Sequence, residues 1–419
     1  MRHCISVRKR FLISIAIVVL LSANMMAPEF VDNAAASTKT STYLLYAGHG
    51  VGVLATESPT TGCGSVFVTT DFQRWRNVTP PVKSPASTPK GQCDDLWSDA
   101  YFVSRTDGWL MAIDTANVST VLFHTLNAGS TWISEPGGDT GSAGGWETIS
   151  FTNASLGWRQ QFGMGSNGDY SLERTVDAGT AWSTRSPDPH GSCETANDVF
   201  SSPDMGFASV AWAPANNPTN LWRTVNGGVS WSTMTLPLPS SLASNALGFY
   251  GQPLFSGSDG TLPVDYPTKG HQDIYFYETR DRGRTWTLDT SPNLPVVVNA
   301  KITINRSVAS SQTCNIGGSI ETGHPAVVDL ASPTTWWILQ PGTRGSTDVT
   351  VVSASGQKVT FHKIGDLPTT NNQLDLATLN AKEALITIPV PNGYRTTYQT
   401  SNGGATWKKI VFGSAAPNR

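Results

Sequence analysis

T-L-N-A-G-S-T-W, from Thr125 to Trp132, is one copy of a pattern that decides the fold. It recurs as T-V-D-A-G-T-A-W (Thr175 to Trp182), T-V-N-G-G-V-S-W (Thr224 to Trp231), T-R-D-R-G-R-T-W (Thr279 to Trp286) and T-S-N-G-G-A-T-W (Thr400 to Trp407). T-T-D-F-Q-R-W (Thr69 to Trp75) is one residue shorter, and V-S-A-S-G-Q-K-V-T-F, ending at Phe361, is degenerate. The Asp or Asn can bond the backbone of its own turn, Gly supplies positive φ, and the hydroxyl residue and Trp return the chain to a strand. Each copy predicts a self-capped β-hairpin, with Asp71, Asn127, Asp177, Asn226, Asp281 and Asn402 as its structural caps.

The terminal aromatics stand at 75, 132, 182, 231, 286, 361 and 407. Their spacing, near 50 residues apart from one long step, is the period of β-propeller blades. A second repeat lies upstream of the turns, an apolar residue followed by a loop and Gly-Trp. Its copies are F-V-S-R-T-D-G-W (Phe102 to Trp109), F-T-N-A-S-L-G-W (Phe151 to Trp158), F-S-S-P-D-M-G-F (Phe200 to Phe207) and, loosely, V-D-L-A-S-P-T-T-W-W ending at Trp337. Two hairpins per repeat make a four-stranded blade. The expectation is an all-β chain, a seven-bladed β-propeller of four-stranded antiparallel blades. Those blades fall at about 43–80, 94–135, 146–186, 195–236, 245–290, 325–365 and 372–412, with an insertion at 291–324.

With these motifs the chain resembles the BNR or Asp-box repeat propellers of the WD40/YVTN/BNR-like superfamily, whose turn reads S/T-x-D-x-G-x-T-W. Its Gly-Trp repeat is most similar to the photosystem II assembly and stability factor-like branch, and the sialidase-like proteins are more distant. The resemblance covers nearly all of the chain beyond its N-terminal segment. It implies turns on the outer face between third and fourth strands, remote from any active site, and a scaffold or assembly role. The F/Y-R-I-P segment of sialidases is missing, and no arginine occurs between Tyr43 and Thr70. Sialidase activity is therefore not implied.

Of 419 residues, 39 are Gly, 26 are Pro and only 14% are charged, as many short strands joined by turns require. A repeat ring is one cooperative unit, so residues 37–419 are expected to form a single domain. Arg2, Arg8, Lys9 and Arg10, the apolar run from Phe11 to Leu21 and the A-A-A-S stretch ending at Ser37 predict a signal peptide over residues 1–36. An uncleaved anchor is the alternative. No other membrane span is expected, and the product is secreted or held at the cell surface.

Cys63, Cys93, Cys193 and Cys314 then remain, an even number in an exported chain, which favours disulfides over a metal site. Three pairings are open, and loop positions favour Cys63 with Cys93. Sequons stand at Asn77, Asn117, Asn153 and Asn305. A formal net charge of −3, with scattered Lys and Arg, argues against nucleic acid as a partner. No metal or cofactor motif is present.

In a propeller the linkers between blades and the loops between second and third strands share one face, where sequence variety concentrates here. Trp146, Trp212, Tyr266, His271, Arg344 and Tyr394 are the candidate ligand-binding residues of that face, for a protein or carbohydrate. The favoured reading is a non-enzymatic binding scaffold. The alternative is a non-sialidase glycoside hydrolase using Asp114, Asp169 and Asp265.

Overall fold

The computed structural model describes residues 41–58, 64–81, 95–114, 119–136, 148–161, 171–185, 195–210, 213–214, 221–242, 247–268, 271–290, 296–298, 303–304, 320–321, 327–332, 335–341, 346–353, 360–366, 375–389 and 395–412. Sheet 1 is Ser41–Gly48, Val51–Glu57, Gly64–Thr69 and Arg76–Asn77. Sheet 2 is Asp95–Phe102, Gly108–Asp114, Ser119–Thr125 and Ile133–Glu135. Sheet 3 is Thr148–Phe151, Gly157–Gln161, Ser171–Thr175 and Ser183–Arg185. Sheet 4 is Thr195–Phe200, Gly206–Val210, Leu221–Thr224 and Ser232–Met234. Sheet 6 is Val327–Ser332, Thr335–Pro341, Ser346–Ser353 and Thr360–Asp366, and sheet 7 is Asp375–Thr378, Ala384–Pro389, Arg395–Thr400 and Lys408–Lys409. Each is an antiparallel meander in chain order.

Among the described residues, therefore, six four-stranded blades form, and the expected count of seven is corrected. The stretch read as another blade builds a seven-stranded sheet, sheet 5, from Ala213–Pro214, Leu247–Tyr250, Leu254–Ser256, Asp259–Thr268, His271–Thr279, Thr287–Leu288 and Val296–Val298. Its inner edge is broken at Gly251, whose N–H turns to Pro263 O at 2.8 Å, and Pro253 follows with no N–H to donate. Ala213–Pro214, inserted between the second and third strands of sheet 4, pairs with Leu247 and Gly248. Thr287–Leu288 and Val296–Val298 share the outer side of His271–Thr279.

The first strand of sheet 1 packs against those of sheets 2 and 7, the first strand of sheet 2 against that of sheet 3, and the first strand of sheet 6 against that of sheet 7. The first strands of sheets 1, 2 and 7 are thus covered on both faces. Leu44, Leu45, Tyr46 and Ala47 are consecutive and all buried, the continuous apolar run of a two-sided strand rather than an alternation.

The Gly-Trp repeat works across seams. A Cβ on Gly108, Gly157 or Gly206 would stand 2.4, 2.4 or 2.6 Å from the ring of Phe102, Phe151 or Phe200 on the neighbouring strand, so glycine is what admits that ring. The indole after the glycine stacks on the phenylalanine of the next sheet. Trp109 lies 3.6 Å from Phe151 at 3°, and Trp158 lies 3.8 Å from Phe200 at 5°. Trp336 stacks on Phe276 of sheet 5 at 3.9 Å. Each such pair contributes about 0.5–1.5 kcal/mol beyond its buried area.

The Thr-to-Trp turns share one hydrogen-bond scheme. The threonine Oγ1 accepts the buried N–H of the turn's glycine, at 2.9 Å for Gly129, Gly179 and Gly283, and donates to the Asp or Asn Oδ1. That Oδ1 accepts the N–H four residues on, at 2.8 to 2.9 Å from Thr131, Ala181, Ser230, Thr285 and Thr406. Asn and Asp serve equally because the hydroxyl beside them adapts. Asn127 Nδ2 donates to Thr131 Oγ1, whereas Asp281 Oδ2 accepts from Thr285 Oγ1. Backbone N–H donors, Arg74 and Gln73 for Asp71 in the shorter turn and Thr285 for Asp281, hold both at a pKa of about 2, and the Ala181 N–H lowers that of Asp177.

Gly157→Ala is expected to destabilise the protein by about 1–3 kcal/mol, through overpacking against Phe151. A thermal melt reads this directly, and an unchanged midpoint would show that the ring moves aside at no cost.

A carboxylate with a folded pKa below its unfolded value near 3.8 contributes stability that is present above that value and fades as pH falls toward 2. Replacing Asp71, Asp177 and Asp281 together by Asn should flatten the decline in melting temperature between about pH 4 and 2. Parallel curves for the variant and the parent would refute the assignment.

Candidate functional site

Ser41 opens the first strand, Glu57 ends the second, and Asp375 and Arg395 begin the first and third strands of sheet 7. All four therefore sit at the loop-rich end of the ring, where sheets 1 and 7 meet. Thr42 Oγ1 donates to Arg395 O at 3.4 Å, and Arg395 N–H reaches Ser41 Oγ at 3.4 Å. Thr397 Oγ1 donates to Thr42 Oγ1 at 3.0 Å. The seam is thus stitched by hydroxyl groups more than 350 residues apart in the chain.

Arg395 organises the cluster. Its Nη1 lies 3.0 Å from Asp375 Oδ2, with both side chains largely shielded, and its guanidinium carbon stands 5.5 Å over the Tyr43 ring. A charge kept from water needs such a partner, and the aromatic face adds a cation–π contact. The Tyr43 hydroxyl bonds Glu57, and burial first, then that bond and the Glu57 charge, raise the phenol's pKa. At neutral pH Tyr43 is a protonated donor rather than a phenolate nucleophile. A half-buried aromatic, a fixed guanidinium and a half-buried carboxylate form a surface suited to recognition.

The other inner carboxylates are committed to structure. Asp99 Oδ2 accepts Ile149 N–H of sheet 3 at 2.9 Å, and Asp329 Oδ2 accepts Thr378 N–H of sheet 7 at 2.6 Å and its hydroxyl at 3.0 Å.

The candidates read from sequence divide into three groups. Trp146, Trp212, Arg344, Tyr394, Asp169, Cys63, Cys93, Cys193 and Cys314 lie outside the described residues, as does the N-terminal segment. Asp114 ends a strand of sheet 2 and His271 begins one of sheet 5, while their side chains are outside the description. Tyr266 and Asp265 are core residues, 1% and 0% exposed, which corrects the expectation of a rim aromatic and a projecting acid. Tyr266 shares a 3.1 Å hydrogen bond with Tyr277, whose hydroxyl donates to Pro237 O, and burial raises both phenol pKa values. Sequence reasoning missed Tyr43, Glu57, Asp375 and Arg395.

No protein-family model matches the chain, and no curated protein matches it. Among solved structures, one of YCF48 bound to D1 peptide is similar at 15% identity over 79% of this chain and 84% of that one, with a TM-score of 0.44. The BP39L lectin from Burkholderia pseudomallei is 12% identical over 89% and 99%, with a TM-score of 0.48. A structure from work on two prolyl endopeptidases is 10% identical over 88% of this chain, with a TM-score of 0.53. This chain spans about half of that one, 49%. The likeness to the prolyl endopeptidase structure is one of fold and assigns neither activity nor ligand.

A raised phenol pKa favours the folded state while the phenol is neutral, so its contribution is present below the ordinary value of 10.0 and fades above it. Tyr43→Phe should lose less stability than the parent between neutral and strongly alkaline pH. Equal alkaline losses would show that this hydroxyl is not held as described.

Proposed function

We propose that this protein is an exported binding and scaffolding β-propeller of the Asp-box repeat kind that takes a protein or glycan ligand on its loop-rich face. The observation that carries the reading is Arg395, fixed between Asp375 and the Tyr43 ring at the loop-rich end of the closing seam. Arginine and tyrosine on a rigid frame supply recognition without ordering cost. The charged N-terminus and apolar run of residues 1–36 support export. A scaffold or assembly role follows from the repeat resemblance.

Catalysis has less support at this face. Asp375 is consumed by Arg395, Tyr43 is protonated, and Asp265 is sealed in the core. Glycoside hydrolysis needs two carboxyl groups about 5–10 Å apart across a substrate site.

Glycan and peptide arrays probed with the purified chain, followed by mass spectrometry of the hits, test the reading. Binding without turnover is expected. The conservative variants Arg395→Lys and Tyr43→Phe should weaken it about tenfold, as loss of one well-placed polar contact does. Turnover of a glycan, or binding indifferent to both variants, would overturn the proposal.

A further inference from the structure

Asparagine followed by glycine is chemically fragile, because no side chain shields the backbone nitrogen that can attack the asparagine amide. The sequence contains four such pairs, and two of them stand in Thr-to-Trp turns, Asn226–Gly227 after the third strand of sheet 4 and Asn402–Gly403 after that of sheet 7. Asn167–Gly168 and Asn392–Gly393 lie outside the described residues. Deamidation starts when the glycine nitrogen gives its proton to hydroxide and its lone pair forms a bond to asparagine Cγ. The Cγ–Nδ2 bond then breaks, and Nδ2 takes a proton from water and leaves as ammonia. Water opens the cyclic imide that results, giving aspartate where the Cγ–N bond breaks and isoaspartate where the backbone C–N bond breaks. No electrons are gained or lost.

Both partners of that attack are held in the folded chain. Gly227 N–H donates to Asp204 O and Gly403 N–H to Lys382 O, each at 2.8 Å. An amide must leave such a bond before it can lose its proton, as in hydrogen exchange. Asn226 Oδ1 accepts from Thr224 Oγ1 and from Ser230 N–H at 2.9 Å, and its Nδ2 donates to Ser230 Oγ at 2.8 Å. Asn402 repeats the scheme with Thr400 Oγ1, Thr406 N–H and Thr406 Oγ1, at 3.0, 2.9 and 2.8 Å. Attack requires the side chain to rotate, and these three bonds resist rotation.

We propose that Asn226 and Asn402 are latent modification sites, spared deamidation in the folded ring and open to it only when their turns come apart. The two products differ in consequence. Aspartate fits, since Asp177 and Asp281 hold the same place and the Thr285 hydroxyl donates to Asp281 Oδ2 at 2.7 Å, a role open to the Ser230 and Thr406 hydroxyls. Isoaspartate adds a methylene to the main chain ahead of the glycine nitrogen and draws that nitrogen away from Asp204 O or Lys382 O. Gly227 is buried and its carbonyl also accepts from Trp158 Nε1 at 3.2 Å, whereas Gly403 is half-buried. Asn402 is therefore the first of the two to react. This inference does not rest on the loop-rich face.

The test holds the full chain at mildly alkaline pH, folded in one sample and unfolded in guanidinium chloride in another, and follows each asparagine by mass-spectrometric peptide mapping. Both sites should deamidate at least about tenfold faster in the unfolded chain, and Asn226 should be the slower in the folded one. Ser230→Ala and Thr406→Val, both at exposed positions, should each speed the reaction about fivefold at the asparagine they release, as loss of one hydrogen bond does, and leave the other asparagine unchanged. Equal rates in the folded and unfolded chains, faster reaction at Asn226 than at Asn402 in the folded chain, or variants without effect at either site would overturn the proposal.

Discussion

One residue in five of the six Thr-to-Trp turns ties its sheet to the preceding one. Phe72, Ala128, Ala178, Gly227, Arg282 and Gly403 follow the Asp or Asn and have positive φ, from 53 to 73°. In five of the six, the N–H bonds the first hairpin loop of the same sheet, at 2.8 to 2.9 Å to Thr106, Ser155, Asp204, Ser258 and Lys382 carbonyls. At all six residues but Gly403, a side chain of the preceding sheet donates to the carbonyl of the same residue. The donors are Arg76 to Ala128, Trp109 to Ala178, Trp158 to Gly227, Arg223 to Arg282, and Gln399 across the closing seam to Phe72. Non-glycine residues adopt this conformation at a cost, and at Ala128, Ala178 and Arg282 that cost is offset by hydrogen bonds at both the N–H and the C=O of the residue.

Everything built on the ring depends on that clasp. It fixes the spacing at which Trp109 and Trp158 meet Phe151 and Phe200. The glycine after the clasp residue presses on the preceding sheet, Gly179 toward Leu122 and Gly283 toward Phe207, so no side chain fits there. At the closing seam the clasp from Gln399 to Phe72 is joined by Phe412, stacked on Phe67 at 3.8 Å. Arg395 is thereby set against Tyr43 at the other end of the same seam. Turn chemistry on one face and recognition chemistry on the other share one rigid frame.

What could be read from sequence was what is local. The hydrogen bonds of T-x-D-x-G-x-T-W close within eight residues, so pattern alone predicts them. The role of the Gly-Trp repeat was hidden, because Trp109 finds its acceptor 69 residues away. The expected blade at 245–290 carried a faithful turn, T-R-D-R-G-R-T-W, but the strand breaks around Gly251 and Pro253 and the added Ala213–Pro214 strand belong to sheet architecture rather than to the turn. Tyr266 was mistaken for a rim aromatic because alternation in L-P-V-D-Y-P does not disclose that both faces are covered. Tyr43 and Arg395 carry no local motif. Only the ring, which makes first and last sheets neighbours, brings them together.

Native-state hydrogen exchange at the clasp amides of Ala128, Ala178, Gly227 and Arg282 tests this account most directly. If these turns hold the sheets to one another, their amides exchange only through global unfolding, with the free energy found for the buried first strands. Exchange at the rate of open surface turns, while the first strands stay protected, would contradict it.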